Sequence, residues 1–326
     1  MLRGLKRLNR YERRILRIVK LGKSDIRFSQ LGYSSRNESG FRFPIHCLEI
    51  GSPQAIKNSP VGLVAGVHGL ETVGIRILID FLEYLVSPSG SSILKAMKKE
   101  KIGLVVIPIL NPGGVAMKKR SNPRGVDLMR NSGVDAVKPM PFFGGHRISP
   151  KLPYFRGKTL ELESRALFQF VKKYFFSAKS KVLPILDIHS GFGTVDYVWW
   201  PYAHTHAPSP SETVFQSFAN YLQNTKNLKN FHYSPQSESY TTHGDLWDRI
   251  YDQFQEEAKE KKSQLIPLTL EVGTWKDIAE NPLKVLKKRG IFNPSPENKA
   301  ETIIRYREFL KEFILSPIDF SLKPTK

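Results

Sequence analysis

The feature that most constrains the fold is a buried strand, a glycine-containing turn and an amphipathic helix within residues 61–85. Val61 to Val67 form an apolar, strand-like run, and the helix is indicated by apolar residues at three- and four-residue spacing: Ile75, Leu78, Ile79, Leu82 and Leu85. The turn between them carries His68 and Glu71. Because the end of a buried strand presents functional groups from a rigid scaffold, these two side chains are candidate ligands for one metal ion. The same spacing also fits a histidine at a helix start, with Glu71 stabilised by the helix dipole.

Further apolar runs alternate with helical patterns along the rest of the chain. Strand-like runs lie at residues 45–50, 101–109, 182–188, 194–200 and 265–270, and helical patterns at 161–176, 211–224, 245–262 and 297–315. This alternation predicts an α/β fold, with a mixed, mostly parallel twisted sheet covered by helices on both faces.

The chain is long enough, at 326 residues, to bury a large core. No internal repeat or change of composition divides residues 45–315. We therefore expect a basic helix and loop over residues 1–40, packed on or leading into a single domain over 41–326. The single cysteine, Cys47, excludes an intrachain disulfide framework, and its place in a strand-like run predicts a buried apolar residue rather than a nucleophile.

The first 20 residues contain eight Lys or Arg residues and one acid. No continuous apolar segment follows them, so they do not form a secretory signal. No run in the chain reaches the roughly 18 apolar residues of a membrane span. With Met1 as the natural start, the expected location is the cytoplasm. Five apolar residues predict a basic amphipathic helix that packs on the domain or lies on an anionic membrane surface: Leu5, Leu8, Ile15, Leu16 and Val19.

The formal net charge is +20, which favours acidic partners such as nucleic acid, anionic lipid, or an anionic peptide or cell-wall substrate. The basic residues form short, scattered clusters without a nucleic-acid-binding motif. The charge therefore indicates the sign of a partner and not an activity.

Four apolar strands end in polar residues: His68 with Glu71, the turn at Asn111, His189, and Glu271. The carboxyl ends of parallel strands share one edge of a sheet, where ligands bind. Two imidazoles and a carboxylate fill three zinc positions and leave a fourth for water. Glu271 would then move the proton of that water to the leaving amine. Considered alone, His189 also fits a core histidine, and Glu271 a solvated strand-end carboxylate.

Several stretches together carry a family resemblance: His68-Gly-Leu-Glu71, Asn111-Pro-Gly-Gly114, residues 120–131, 155–163 and 186–191, Tyr240 with Gly244-Asp-Leu-Trp247, and residues 268–273. They occur in family order and resemble the zinc carboxypeptidase family of carboxypeptidase A, including its bacterial murein-peptide amidase branch. The resemblance implies an α/β/α sandwich that binds one zinc ion per chain through His68, Glu71 and His189. It also makes Glu271 the general base and acid.

The resemblance assigns further roles to four residues. Arg120 would stabilise the developing oxyanion with its fixed charge, and Arg130 would bind the substrate's terminal carboxylate with its planar fork of donors. Asp127 would orient His68 through the second ring nitrogen. Tyr240 would cover the bound substrate by loop closure.

One position departs from the family pattern. The family's Asn-Arg carboxylate clamp is Met129-Arg130 here, and a methionine sulfur is only a weak acceptor. Loss of a hydrogen bond to a charged group costs about 1.5–3 kcal/mol, which weakens binding or changes the substrate without removing catalysis.

Asp245 lies near the family's specificity pocket, where it would attract an amino group such as that of lysine or diaminopimelate. It also fits a helix N-cap before Leu246 and Trp247.

Four histidines in predicted loops have no assigned role: His146, His204, His206 and His243. His204 and His206 fit a second metal site, a position at the edge of the cleft, or exposure to solvent.

Three functions follow for the chain. The first is a carboxypeptidase that cleaves murein or acidic peptides. The second is a zinc amidohydrolase resembling aspartoacylase and succinylglutamate desuccinylase. The third is a catalytically silent binding protein, which only Met129 favours. The residues leave the scissile bond and the oligomeric state open.

Overall fold

A computed structural model describes residues 2–225, 230–258, 262–275, 292–293 and 299–320. The strands are β1 (Ile26–Tyr33), β2 (Pro44–Ile50), β3 (Pro60–Ala65), β4 (Gly103–Ile107), β5 (Val182–Ser190), β6 (Tyr197–Trp200), β7 (His232–Pro235) and β8 (Gln264–Val272). The helices are α1 (Leu2–Gly22), α2 (Pro53–Asn58), α3 (Thr72–Leu85), α4 (Ser91–Lys99), α5 (Pro112–Met117), α6 (Leu162–Phe175), α7 (Glu212–Gln223), α8 (Gln236–Ser239), α9 (Leu246–Glu257) and α10 (Lys299–Asp319).

The strands form one sheet in the order β1-β2-β4-β3-β5-β8-β6-β7. Its four central strands, β4, β3, β5 and β8, are parallel. Beyond them, β2 pairs antiparallel with β4, and β6 pairs antiparallel with β8. The predicted α/β class with a mixed, mostly parallel sheet is therefore confirmed.

The central strands are buried on both faces because successive side chains point into two different cores. Leu63 belongs to one apolar cluster and its neighbour Val64 to the other. The first cluster contains residues of α1, α3, α7 and α10, whereas the second contains residues of α6 and α9. Helices consequently cover both faces, as expected for a sheet whose strands are continuously apolar.

Helix α1 packs its apolar face on the first core cluster. Leu8, Tyr11, Ile15 and Ile18 are buried there. Leu16, which the sequence predicts on the apolar face, is instead 53% exposed. The buried residues of α1 follow one another at spacings of three and four residues, and Leu16 falls outside this series. The packed face is unavailable to a membrane, so any membrane-surface contact would use the basic side of α1.

Two strands of the sheet, β1 and β7, are absent from the sequence prediction. β1 forms a sheet edge where half-exposed side chains interrupt the apolar pattern, and β7 has only one buried residue, Ser234. Because β1 lies within residues 1–40 and pairs with β2, part of this segment belongs to the sheet. The division of the chain at residue 40 stays a prediction.

Two helix ends differ from the sequence prediction. The pattern predicts helix ends at residues 262 and 297, whereas α9 ends at Glu257 and α10 begins at Lys299. Residues 259–261 and 294–298 lie outside the described residues.

Within the described residues, no single helix has the length and apolarity to cross a membrane. α3 and the segment Pro88–Lys99 meet both requirements only as a pair, with an 86° bend between them.

Cys47 is fully buried, and burial raises the pKa of its thiol to about 11. This agrees with the prediction of a packed residue, because a protonated thiol is a poor nucleophile.

Candidate metal centre

The site lies at the carboxyl edge of the four parallel strands. After β3, Gly66 adopts a φ of 69° and turns the chain toward His68. Gly69 then approaches the turn after β4 so closely that a Cβ atom would lie 2.0 Å from the carbonyl carbon of Gly114. The Asn111 side chain holds the same two turns together, because it donates to the Val67 carbonyl and accepts from the Gly114 N–H.

His68, Glu71 and His189 meet at this edge, and all three are buried. His68 Nδ1 lies 2.7 Å from Glu71 Oε1, and His189 Nδ1 lies 3.0 Å from Glu71 Oε2. One ligand atom from each residue lies within 4.8 Å of the other two, and no other such group of three occurs among the described residues. The convergence predicted from the sequence is confirmed.

An aspartate holds the far nitrogen of each imidazole. His68 Nε2 lies 3.0 Å from Asp127 Oδ1, and His189 Nε2 lies 2.9 Å from Asp187 Oδ2. A carboxylate in this position fixes the ring orientation and leaves the opposite nitrogen for a metal. Both Nδ1 atoms are therefore turned toward Glu71 and are oriented as ligands.

The charges around the three ligands favour a cation. Burial opposes ionisation of Glu71, yet His68 and His189 hold its pKa below the ordinary glutamate value. Burial alone would lower the pKa of His189, but the charge of Asp187 holds that pKa well above the ordinary value. Two nitrogens and a carboxylate are a donor set of zinc enzymes. The residues present thus fit a zinc ion.

Glu271 lies opposite His189 in the register of β8 and β5. It is 9% exposed, and its Oε2 atom has no hydrogen-bond partner among the residues described. Burial and the charge of Glu71 raise the pKa of Glu271 to about 8. A buried carboxylate with an unpaired oxygen beside the three ligands can accept and return a proton.

Arg120 is tied to both acidic partners of His68. Its Nη1 donates to Glu71 Oε1 at 2.9 Å, and its Nε donates to Asp127 Oδ2 at 2.8 Å. Arg130 is held by main-chain oxygens instead, because Nε and Nη2 donate to the Phe143 carbonyl and Nη1 donates to the Met129 carbonyl. Arg130 also hydrogen-bonds to the Tyr240 side chain, so Tyr240 and a ligand would share its remaining terminal N–H groups.

Both arginines line a small pocket with His68, His189 and Glu271. The other predicted residues Met129, Tyr240 and Asp245 line the same pocket, as do Trp199, Gln236 and Thr269. Tyr240 packs against Phe192 and Trp199, and burial raises its pKa to about 12. All of the predicted site residues are thus brought together, with Asp127 behind His68.

Asp245 is the N-cap of α9. Its Oδ1 accepts hydrogen bonds from the main-chain N–H groups of Trp247 and Asp248. Burial and the nearby charge of Asp248 raise the pKa of Asp245 to about 7. The capping role is therefore present, and a role in substrate selection stays a prediction.

The four histidines without an assigned role hold loops or face solvent. His204 Nδ1 lies 2.7 Å from Asp248 Oδ2, and His206 is exposed. The His146 ring lies beside the Pro153 carbonyl, and His243 Nδ1 accepts from the Ala136 N–H. A second metal site at His204 and His206 is not supported in the described part of the chain.

Two residues that hold His189 were not assigned from the sequence. Asp187 precedes His189 by two positions in β5, so both side chains leave the same face of the strand. Trp247 Nε1 donates to the Asp187 oxygen that contacts His189. The alternation of a strand could have identified Asp187, whereas no local pattern connects Trp247 with it.

Replacing Asp187 by Asn should weaken zinc binding about 10- to 100-fold, the usual cost of losing such an outer carboxylate. The amide keeps the size of the side chain but lacks the negative charge that stabilises the His189 ring. Competition with a zinc-chelating dye would measure the affinity. Asp252→Asn, which removes a carboxylate bonded to Tyr202 away from the site, is the control; an equal loss in both variants would contradict this role.

Comparisons with known proteins agree with the fold and with a zinc-binding family. A sequence model described as zinc carboxypeptidase matches residues 12–296. Carboxypeptidase SOL1 of Arabidopsis thaliana is 25% identical over 225 residues, which are 66% of this chain but 40% of that protein. The chain thus matches less than half the length of this curated relative.

Solved carboxypeptidase structures share the fold at low identity. Bovine thrombin-activatable fibrinolysis inhibitor, in complex with tick carboxypeptidase inhibitor, aligns with a TM-score of 0.68 and 18% identity, covering 96% of this chain and 97% of that one. Carboxypeptidase A of Helicoverpa armigera aligns with a TM-score of 0.65 and 16% identity, covering 93% and 71%. The structural likeness supports the fold, and the sequence match extends over most of the chain, including all three candidate ligands. The chain belongs to the zinc carboxypeptidase family.

Proposed function

We propose that this protein is a zinc-dependent carboxypeptidase that hydrolyses a peptide or isopeptide bond next to a free carboxylate. The observation that carries the proposal is the buried Oε2 of Glu271, which has no hydrogen-bond partner in the described part of the chain and lies in the same pocket as His68 and His189. His68, Glu71 and His189 would hold one zinc ion. When bound, zinc polarises a carbonyl oxygen and lowers the pKa of water to about 7.

The protein side chains divide the remaining tasks. Glu271 takes a proton from the attacking water and returns it to the leaving amine. Arg120 places a fixed positive charge beside the scissile carbonyl, where it stabilises the negative charge that develops on oxygen. Asp127 holds both Arg120 and His68, so one carboxylate orients two members of the site.

Arg130 would bind the terminal carboxylate with terminal N–H groups that do not donate to Phe143 or Met129, and Tyr240, which also hydrogen-bonds to Arg130, lies beside that carboxylate. The main-chain contacts to Phe143 and Met129 fix the plane of its guanidinium. The pocket has a volume of about 20 Å³, which is close to the space of one water molecule. A substrate side chain therefore enters only when the pocket widens, and movement of Tyr240 from Phe192 and Trp199 would provide this opening.

For the substrate we propose a murein peptide or another acidic peptide, as the murein-peptide branch of the family and the +20 net charge suggest. Asp245 would attract the amino group of a C-terminal lysine or diaminopimelate. The expected location is the cytoplasm.

Mass spectrometry of digests, with and without a chelator, tests this function. The panel is a murein tripeptide, acidic peptides and N-acylated amino acids. Chelator-sensitive release of the C-terminal residue from a peptide is the expected result. Turnover of N-acylated amino acids alone would replace the proposal with an amidohydrolase, and bound zinc without any hydrolysis would indicate a binding protein.

Replacing Met129 by Asn should lower the KM for peptides with a free terminal carboxylate. The amide restores a donor beside Arg130, and a hydrogen bond to a charged group contributes about 1.5–3 kcal/mol, equivalent to roughly 10- to 150-fold. Steady-state kinetics on a peptide and on its C-terminal amide would measure the effect. Met129→Leu keeps an apolar side chain and is the matched control. An equal gain on both peptides would contradict a role in carboxylate binding.

A further inference from the structure

A second, larger cavity of about 920 Å³ lies beside the catalytic pocket. Its walls come from the loop after β1, the segment from Lys118 to Asp127, and residues 150–154. This size is near the upper end of the roughly 300–1,000 Å³ range of ligand sites. It therefore has room for a ligand segment larger than one side chain.

The cavity walls are strongly basic. Six Lys or Arg residues line it, namely Arg36, Lys118, Lys119, Arg120, Arg124 and Lys151, against the two acids Glu38 and Asp127. Asp127 already contacts His68 and Arg120, so Glu38 is the one lining acid outside the metal centre. A concave surface of one charge sign concentrates ligands of the opposite sign.

Several of these cations are able to meet a ligand. Lys119 and Lys151 are exposed, and neither forms an ion pair with any residue of the described ranges. The Arg124 side chain is 63% exposed, and its Nη1 lies 3.8 Å from Glu161. These positive charges are therefore only weakly compensated by the protein.

Arg120 connects the two cavities, because it lines both of them. The Tyr154 ring lies beside this connection, with its centroid 5.3 Å from Arg120 Cζ and 5.9 Å from Arg130 Cζ. If Arg130 holds the terminal carboxylate and Arg120 lies at the scissile carbonyl, the substrate continues past Arg120 on the amino side of the bond. The basic cavity lies on that path.

We propose, building on the carboxypeptidase function above, that this basic cavity binds acidic side chains of the substrate on the amino side of the scissile bond. Lys119, Arg124 and Lys151 would contact the carboxylates, while Leu70, Pro123 and Leu152 contact the peptide chain. The enzyme then selects peptides by upstream acidity as well as by the C-terminal residue.

The test compares two peptides with the same C-terminal dipeptide, one preceded by glutamates and the other by glutamines. The variant K119E/K151E reverses two cavity charges, and K95E/K98E reverses two exposed charges on α4, outside both cavities. We expect wild type and K95E/K98E to favour the glutamate peptide in kcat/KM by about tenfold or more at low salt. In K119E/K151E, the kcat/KM for the glutamate peptide divided by that for the glutamine peptide should be about tenfold lower than in the wild type. Equal ratios in all three proteins, or equal loss in both variants, would overturn the proposal.

A binding measurement separates this inference from the proposed function. Fluorescence anisotropy follows binding of a labelled glutamate-rich peptide to each protein, in the background of E271Q. If the peptide binds more weakly to K119E/K151E but not to K95E/K98E, the result supports the cavity even where no peptide is hydrolysed. Hydrolysis of both peptides at equal rates, with equal anisotropy in every background, would reject the cavity and leave the carboxypeptidase function standing.

Discussion

Replacing Glu271 by Gln should lower kcat about 10²- to 10⁴-fold, the usual contribution of a general acid–base residue. The amide keeps the shape of the side chain but cannot accept the proton of the attacking water. Zinc should remain bound, because Glu271 is not among His68, Glu71 and His189. Kinetics on a cleaved peptide and zinc content from mass spectrometry of the purified variant would measure both effects.

Glu238→Gln is the matched control for Glu271→Gln. Glu238 is exposed on α8, close in sequence to Tyr240 and outside the pocket lining, so its kcat should equal that of the wild type. A Glu271→Gln enzyme with wild-type kcat would remove Glu271 from the mechanism.

Replacing His189 by Gln should lower the zinc affinity more strongly than the loss of an outer hydrogen-bond partner does, which is about 10- to 100-fold. A glutamine does not supply the imidazole nitrogen, although it can still hydrogen-bond to the buried carboxylates of Glu71 or Asp187. Keeping such a bond matters, because an unpaired buried charge destabilises a protein by about 3–5 kcal/mol. Hydrolysis should fall together with the zinc content after dialysis.

His204→Gln provides the control for His189→Gln. His204 also contacts a buried carboxylate, Asp248, but lies outside the candidate metal centre. It should keep its zinc content and activity, and thermal unfolding would check that both variants fold. Equal zinc contents in the two variants would contradict the assignment of His189 as a ligand.

The central strands were predictable because each places a continuous apolar run between two cores. β3, for example, is buried at every residue, and the polar residues that follow it start at the sheet edge. β1 and β7 lie at the two ends of the sheet, where fewer side chains are buried and the apolar pattern is weaker. Periodicity reports burial, so strands with little burial give little signal.

The ligands of the candidate site were also predictable, since His68 and Glu71 follow β3 and His189 lies in the last two residues of β5, at the same edge of the sheet. Contacts between distant segments were not. The buried acids Glu161 and Glu163 each place an oxygen 2.9 Å from the Ser35 hydroxyl oxygen, and Asn122 donates to both acids. This network fixes the loop after β1 against the segment that carries Arg120, yet no spacing in the sequence relates these residues. Folding brings such partners together through tertiary packing, which local patterns do not contain.

The central claim is that two imidazole nitrogens and a carboxylate bind a zinc ion at one edge of the sheet. A crystal of the zinc-loaded protein, measured on both sides of the zinc absorption edge, tests it most directly. We predict one anomalous peak between His68 Nδ1, His189 Nδ1 and the Glu71 carboxylate, absent in crystals of His189→Gln. A single peak elsewhere in the molecule, or none after zinc is added, would contradict the claim.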